Sequence, residues 1–277
     1  MKNNIELFED FIIKLKLNCF VKNSTPENIK KYHGRVVGFS RYINLVSKLK
    51  DKYIKNNRLS RGAFFKLHAW QIVLHKAILS LCEEGWAQTS GILSRTMLDT
   101  MATMLVIGEK EHEYRAFKYY AFEDLKIINS GSVSDDERSK IEDNLEITIK
   151  ELTPEDRSKV KDYIEGKKYG NYWFCPDYTN INSVFDKLTE KESDLYFKYR
   201  LYSGVSHGSH VGTNIGLDQP DTIGIDPQPN KESSKRAIYD SSRLLLETCL
   251  IRNEFEKLGQ RDVYYYLLEE YLKFKDS

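Results

Sequence analysis

Residues 61–107 constrain the fold more than any other part of the chain. They form its most apolar stretch, long enough for two core helices, and Gly85 interrupts them once. Glycine tolerates the left-handed conformation that ends a helix, so the pattern predicts helices over 62–84 and 86–107. The second carries Ser90, Gly91, Ser94, Thr96, Thr100, Ala102 and Thr103. Small side chains at that density let a neighbouring helix come close, which predicts the centre of a bundle.

Helical apolar spacing recurs through the rest of the chain. Ile5 to Leu17 reads as a short helix. Thr25-Pro26-Glu27 supplies a capping hydroxyl, a proline at the first helical position and an acid at the positive helix end. The helix it opens runs to about Lys50 on Val36, Val37, Phe39, Ile43, Leu45, Val46 and Leu49. A Tyr- and Phe-rich helix follows over 110–130 and stops at Asn129-Ser-Gly-Ser132. Ser134 with Glu137 forms a capping box for 135–151, and Thr153-Pro154 opens a helix through Glu165. Both are polar nearly all round, which predicts an exposed charged hairpin over 132–166.

Gly166 to Thr179 breaks the pattern and gathers Tyr169, Tyr172, Trp173 and Phe174. Such a cluster either walls a ligand pocket, with Trp173 as the candidate residue, or plugs an end of the bundle. Asn182–Leu188 reads as a short helix. Thr189 with Glu192 reads as a second capping box, leading into the helix that enters residues 195–210. Val211–Asn230, with Pro220, Gly224, Pro227 and Pro229, is a long loop. Two closing helices, 231–258 and 260–275, are separated at Gly259-Gln260.

There is no βαβ alternation, hairpin turn chemistry or internal repeat. The expected class is all-α: a single domain over 1–277, a bundle of about ten helices with a long loop after residue 210. Its core helices fall within 60–130 and 190–258.

Composition narrows the function classes. The 42 basic and 41 acidic residues leave a net charge of +1, so no global basic field advertises nucleic acid, although a local patch remains open. Cys19, Cys82, Cys175 and Cys249 lie far apart without a CxxC, as expected for reduced thiols of a cytoplasmic protein. The N-terminus lacks the apolar run of a signal peptide, and no stretch approaches the ~20 apolar residues of a membrane span.

The chemistry concentrates in Leu195-Tyr-Phe-Lys-Tyr-Arg-Leu-Tyr-Ser-Gly-Val-Ser-His-Gly-Ser-His210. Arg200 and His207 are seven apart, a spacing that places them on one helix face. The arginine can hold a phosphate through two parallel hydrogen bonds and neutralise charge developing on it. The histidine, with an ordinary pKa near about 6.5, can move a proton to or from a ribose 2′-hydroxyl or a leaving oxygen. That chemistry requires no metal or other cofactor.

Tyr199 and Ser203 supply supporting polar groups, and His210 stands beside them. His207 and His210, three apart, also suit chelation of one metal ion. Asp99, Asp218 and His75 are the candidates for a third ligand, and no spacing rule selects among them. Arg95 and Asp99 are i,i+4 on the core helix. They either pair structurally or line the same pocket as Arg200 and His207. His68 and His75, seven apart, either pack in the core or reach that pocket.

Leu93-Ser-Arg-Thr-Met-Leu-Asp99, followed by Tyr199-Arg-Leu-Tyr-Ser-Gly-Val-Ser-His207, resembles the bacterial helical family known as domain of unknown function 5677. Members carry an Arg-x-x-x-acid helix and then Tyr-x-x-x-Ser-x-x-x-His. Arg95 and Asp99 match the first motif, and Tyr199, Ser203 and His207 the second. The similarity spans roughly residues 60–215 and implies a helical fold without an activity.

The Arg200-to-His207 spacing is also similar to the Arg-x4–6-His motif of HEPN-type ribonucleases. These are metal-independent enzymes of toxin–antitoxin, abortive-infection and CRISPR-linked systems, usually dimeric with the motifs facing across the interface. That resemblance implies that Arg200 holds the scissile phosphate and His207 is the acid–base. The chain departs from the motif at Leu201, where a polar residue is common, and its spacing is at the upper limit.

Three functions follow as expectations. The first is a HEPN-like endoribonuclease or toxin of a phage-defence or abortive-infection system, with RNA or a nucleotide as ligand, a homo-oligomeric state and an antitoxin or defence partner. The second is a non-catalytic helical ligand-binding or assembly module. The third is a metal-dependent hydrolase using His207 and His210.

Overall fold

The computed structural model describes residues 26–51, 58–84, 86–166, 172–189, 195–206, 215–216, 224–225 and 231–275. Ten helices occur among them: α1 (Pro26–Asp51), α2 (Arg58–Glu83), α3 (Ala87–Glu109), α4 (His112–Ser130), α5 (Asp135–Lys150), α6 (Pro154–Gly166), α7 (Ile181–Leu188), α8 (Leu195–Ser206), α9 (Lys231–Glu256) and α10 (Arg261–Lys275). The class is all-α. Within the segment read as a plain loop, β1 (Ile215–Gly216) and β2 (Gly224–Ile225) form one antiparallel pairing, Ile215 opposite Ile225 and Gly216 opposite Gly224. The short helix expected over 5–17 and the break at Gly85 lie outside the described residues.

Several helix ends follow directly from local chemistry. Pro26 is the first residue of α1, and Lys48 and Lys50 occupy its last turn. Ser134 and Glu137 make the predicted capping box in both directions. Gly131 closes α4 at φ 67°, a left-handed conformation that suits glycine, and its N–H donates to the Ile128 carbonyl. The Thr153 hydroxyl accepts from the Asp156 N–H at 3.2 Å and so caps α6.

The Thr189 hydroxyl donates to the Phe185 carbonyl at 2.6 Å, so it closes α7, while Glu192, its partner in the expected capping box, lies outside the described residues.

The chain divides into two compact units, Met1–Lys52 with Lys66–Met101 and Asp194–Ser277, and Tyr53–Phe65 with Ala102–Ser193. Residues of α2 and α3 contribute to both.

The first unit is built on α1, α9 and the later part of α2. Val36, Phe39 and Ile43 of α1, Leu74 and Ile78 of α2, and Leu244, Leu245 and Leu246 of α9 are buried. Burying each such side chain contributes roughly 1.5–3 kcal/mol relative to exposure. The predicted small-residue face of α3 is real: Ser90 and Ser94 are buried, and the Gln71 side-chain amide of α2 donates to the Met97 carbonyl at 2.7 Å. Helix α10 lies along α1, where the Tyr32 hydroxyl donates to the Leu267 carbonyl at 3.2 Å.

The second unit centres on Phe117, Ala121, Leu125, Leu152 and Val160, with Leu59, Tyr114, Leu145 and Tyr163 packed around them. Helix α5 buries no residue and α6 buries only Val160, as their polar pattern predicts. Glu113 of α4 receives the backbone N–H groups of Leu59 and Ser60 at 3.0 and 2.9 Å. A carboxylate from another helix thereby satisfies donors in the first turn of α2 and complements its dipole.

In the same unit, the Arg115 guanidinium is fully buried and donates to the Val106 carbonyl and Glu109, each at 2.6 Å. Trp173 is 8% exposed, edge-on to Phe174 and Tyr119 with ring centroids 5.6 Å apart in each pair. Among the described rings of this segment, Tyr172 is the exposed one, stacked on Phe174 at 5.0 Å.

Candidate functional site

Helix α8 carries the described part of the predicted site. Leu195, Lys198 and Tyr202 form its buried seam, at the i, i+3, i+7 spacing of one helix face. Lys198 Nζ donates to Asp240 Oδ1 of α9 at 2.7 Å, and the Tyr202 hydroxyl donates to Asp240 Oδ2, also at 2.7 Å. The three groups are 7%, 6% and 8% exposed. Each carboxylate oxygen therefore takes one donor from the same stripe of α8.

That seam sets the direction of the other described side chains on the helix. Successive residues advance by about 100°, so Arg200 lies about 200° round from Lys198. It is exposed accordingly. Tyr199, about 100° round, meets α3: the Arg95 guanidinium lies 5.5 Å from its ring centroid and donates to its hydroxyl at 3.4 Å. Ser203, one turn further on, is half-buried.

Arg95 and Asp99 do share a face. Their closest approach is Nε to Oδ2 at 3.9 Å, with the side chains 25% and 43% exposed. This is a loose, half-exposed pair, so its contribution is small. Desolvation moves the Asp99 carboxyl above its ordinary pKa, with Arg95 acting in the opposite direction.

His207 and His210, and with them Asp218, lie outside the described residues. Among the described residues no group of three or more His, Cys, Asp or Glu side chains could hold a metal ion. Trp173 belongs to the second unit.

His68 and His75 are core residues. Arg252 Nη1 donates to His68 Nδ1 at 2.9 Å, which puts the imidazole proton on Nε2, 2.5 Å from Ser40 Oγ. Ser241 donates its hydroxyl to the Ile238 carbonyl, so His75 Nδ1 donates to Ser241 Oγ at 3.0 Å. His33 packs against His75 with ring centroids 4.4 Å apart. Burial lowers the pKa of all three, so each is neutral near pH 7. Cys249, 3.6 Å from His68 Nε2, is pushed up to about 12 by burial and is an unreactive thiol.

Sequence reasoning passed over Lys198, Tyr202, Asp240 and Arg252. Lys198 and Tyr202 carried a signal, since they are four apart on the same face as Leu195. Nothing in the sequence marked Asp240 as their shared partner, because that contact joins residues about forty positions apart.

The fold and site together define an all-helical protein. It buries polar side chains between helices and turns one arginine outward on a short helix. Residues 62–221, more than half of the chain, match the model of DUF5677, a family of unknown function, and the chain belongs to that family. Both motifs that suggested the resemblance, 93–99 and 199–207, fall inside the match. No curated protein and no solved structure matches the chain. No helix among the described residues is long and apolar enough to cross a membrane.

Proposed function

We propose that the protein is a HEPN-like, metal-independent endoribonuclease of a bacterial toxin or phage-defence system, with Arg200 and His207 as its catalytic pair. The supporting observation is the exposed position of Arg200, opposite the buried seam of α8. A guanidinium there is open to a phosphodiester, and His207 follows seven residues on.

In this reaction Arg200 holds the two non-bridging phosphate oxygens. His207 takes the proton from the ribose 2′-hydroxyl, the 2′-oxygen bonds to phosphorus, and the bond from phosphorus to the 5′-oxygen breaks. The departing 5′-oxygen takes up a proton. The products are a 2′,3′-cyclic phosphate and a 5′-hydroxyl. The partners under this reading are RNA, a second copy of the chain and an antitoxin.

The test is purified protein with end-labelled RNA in excess EDTA. Cleavage with cyclic-phosphate ends is expected, and Arg200→Ala and His207→Ala should each slow it about 100-fold or more. Intact RNA with the wild type, or unchanged cleavage by both variants, rejects the proposal.

A second reading, a non-catalytic ligand-binding or assembly module, draws on the half-exposed Arg95, Asp99 and Tyr199. It calls for ligand-dependent thermal shifts that Arg95→Ala and His207→Ala abolish, without turnover.

A further inference from the structure

We propose that Asp240, through its bonds to Lys198 and Tyr202, is a positioning residue for the phosphate site on α8. This rests on the ribonuclease reading.

Helix α8 has only twelve residues. A short helix held by aliphatic contacts alone can rotate or slide with little penalty, because apolar contact is non-directional. Of the three buried side chains described on α8, two are polar, and both end on one carboxylate. Taking three such groups out of water carries a desolvation penalty that a well-packed apolar trio of similar volume avoids. The lock therefore contributes less to stability than to register.

Its geometry is specific to one rotation. Lys198 reaches Oδ1 and Tyr202 reaches Oδ2, each at 2.7 Å. A shift of α8 by one residue turns it about 100° and breaks both bonds together. The same rotation carries Arg200 off its outward direction and Tyr199 away from Arg95. Arg200 is thus aimed by a residue on another helix that never touches the phosphate.

The test is the apolar triple variant Lys198→Met, Tyr202→Phe, Asp240→Leu, which leaves no stranded charge. Tyr202→Phe, which leaves the Lys198–Asp240 pair in place, accompanies it as the milder change. Three measurements are made: melting temperature, amide hydrogen exchange across 195–206, and RNA cleavage as kcat and KM. The triple variant is expected to melt within a few degrees of wild type. Its α8 amides should exchange at least about tenfold faster while the rest of the chain is unchanged. Its kcat should fall about 100-fold, as for a misplaced catalytic group, with a much smaller change in KM. Tyr202→Phe, which keeps one of the two bonds to Asp240, should retain most of the turnover.

Unchanged kcat in the triple variant overturns the proposal, as does loss of kcat that only parallels a collapse in melting temperature in both variants. If the wild type cleaves no RNA, the ribonuclease reading falls by itself. The lock is then judged on exchange alone: faster exchange confined to α8 supports it, and unchanged exchange overturns it.

Discussion

Arg252→Met is the most exacting probe of the polar core. Arg252 is wholly buried on α9, and its guanidinium has four partners. Nε donates to Glu256 Oε1 at 2.8 Å, Nη2 to Ser47 Oγ at 2.7 Å, and Nη1 to His68 Nδ1 at 2.9 Å and to Asn44 Oδ1. Three bonds to neutral partners at about 1 kcal/mol each, and one to a carboxylate at about 2 kcal/mol, sum to about 5 kcal/mol.

The variant also breaks the buried pair with Glu256, whose side chain is 1% exposed, and removing one partner of such a pair costs about 3–5 kcal/mol. The two routes count the same loss and agree on about 4–5 kcal/mol. At about 2–4 °C per kcal/mol for a chain of this size, the melting temperature should fall by roughly 8–20 °C. The assay is thermal unfolding followed by circular dichroism, with urea titration for the free energy. The double variant Arg252→Met, Glu256→Gln also removes the buried carboxylate charge and should recover about 2 kcal/mol of the loss. A loss below about 1 kcal/mol, or a double variant no more stable than the single, would refute the assignment of Arg252 as the centre of this network.

Acidification should destabilise the protein through His33, His68 and His75, whose pKa values burial holds below the ordinary 6.5. The unfolded chain takes up protons there first, so stability is complete above about 6.5 and falls with pH by up to about 1.4 kcal/mol per unit for each imidazole; urea midpoints flat or rising from pH 7.5 to 5.5 contradict this. Glu113→Ala removes the acceptor for the first turn of α2 and should cost about 2 kcal/mol in chemical unfolding, and an unchanged midpoint argues against that capping role. Phe117→Ala, in the core of the second unit, should cost about 3–5 kcal/mol, whereas Ile147→Ala at 60% exposure should stay within about 0.5 kcal/mol. Equal effects at those two positions would contradict the burial pattern.

The helices were legible because their causes are local. A capping box at Ser134 and Glu137, a proline at the head of α1 and a glycine at the end of α4 act within a few residues, and all appear where the pattern places them. The two-residue pairing of 215–216 with 224–225 left no signal, since two residues on each side are too few to show an alternation.

The candidate site was half legible. The sequence marked Arg200 by its spacing to His207, and marked Arg95 and Tyr199 by motif. It also placed Arg95 and Asp99 on one face, and they do pair, but helical spacing does not report how far two side chains reach or how wet they are.

By itself, then, the sequence determined the all-α class, the extent of most helices and the polar character of α5 and α6, all governed by contacts within one or two helical turns. The tertiary structure decided which polar side chains are buried and with whom. His68 finds Arg252, His75 finds Ser241, and Lys198 and Tyr202 meet at Asp240. These partners lie about forty to nearly two hundred positions apart. A buried polar group must be satisfied wherever the packing of helices brings a complement, and only the folded arrangement of α1, α2, α8 and α9 selects that complement.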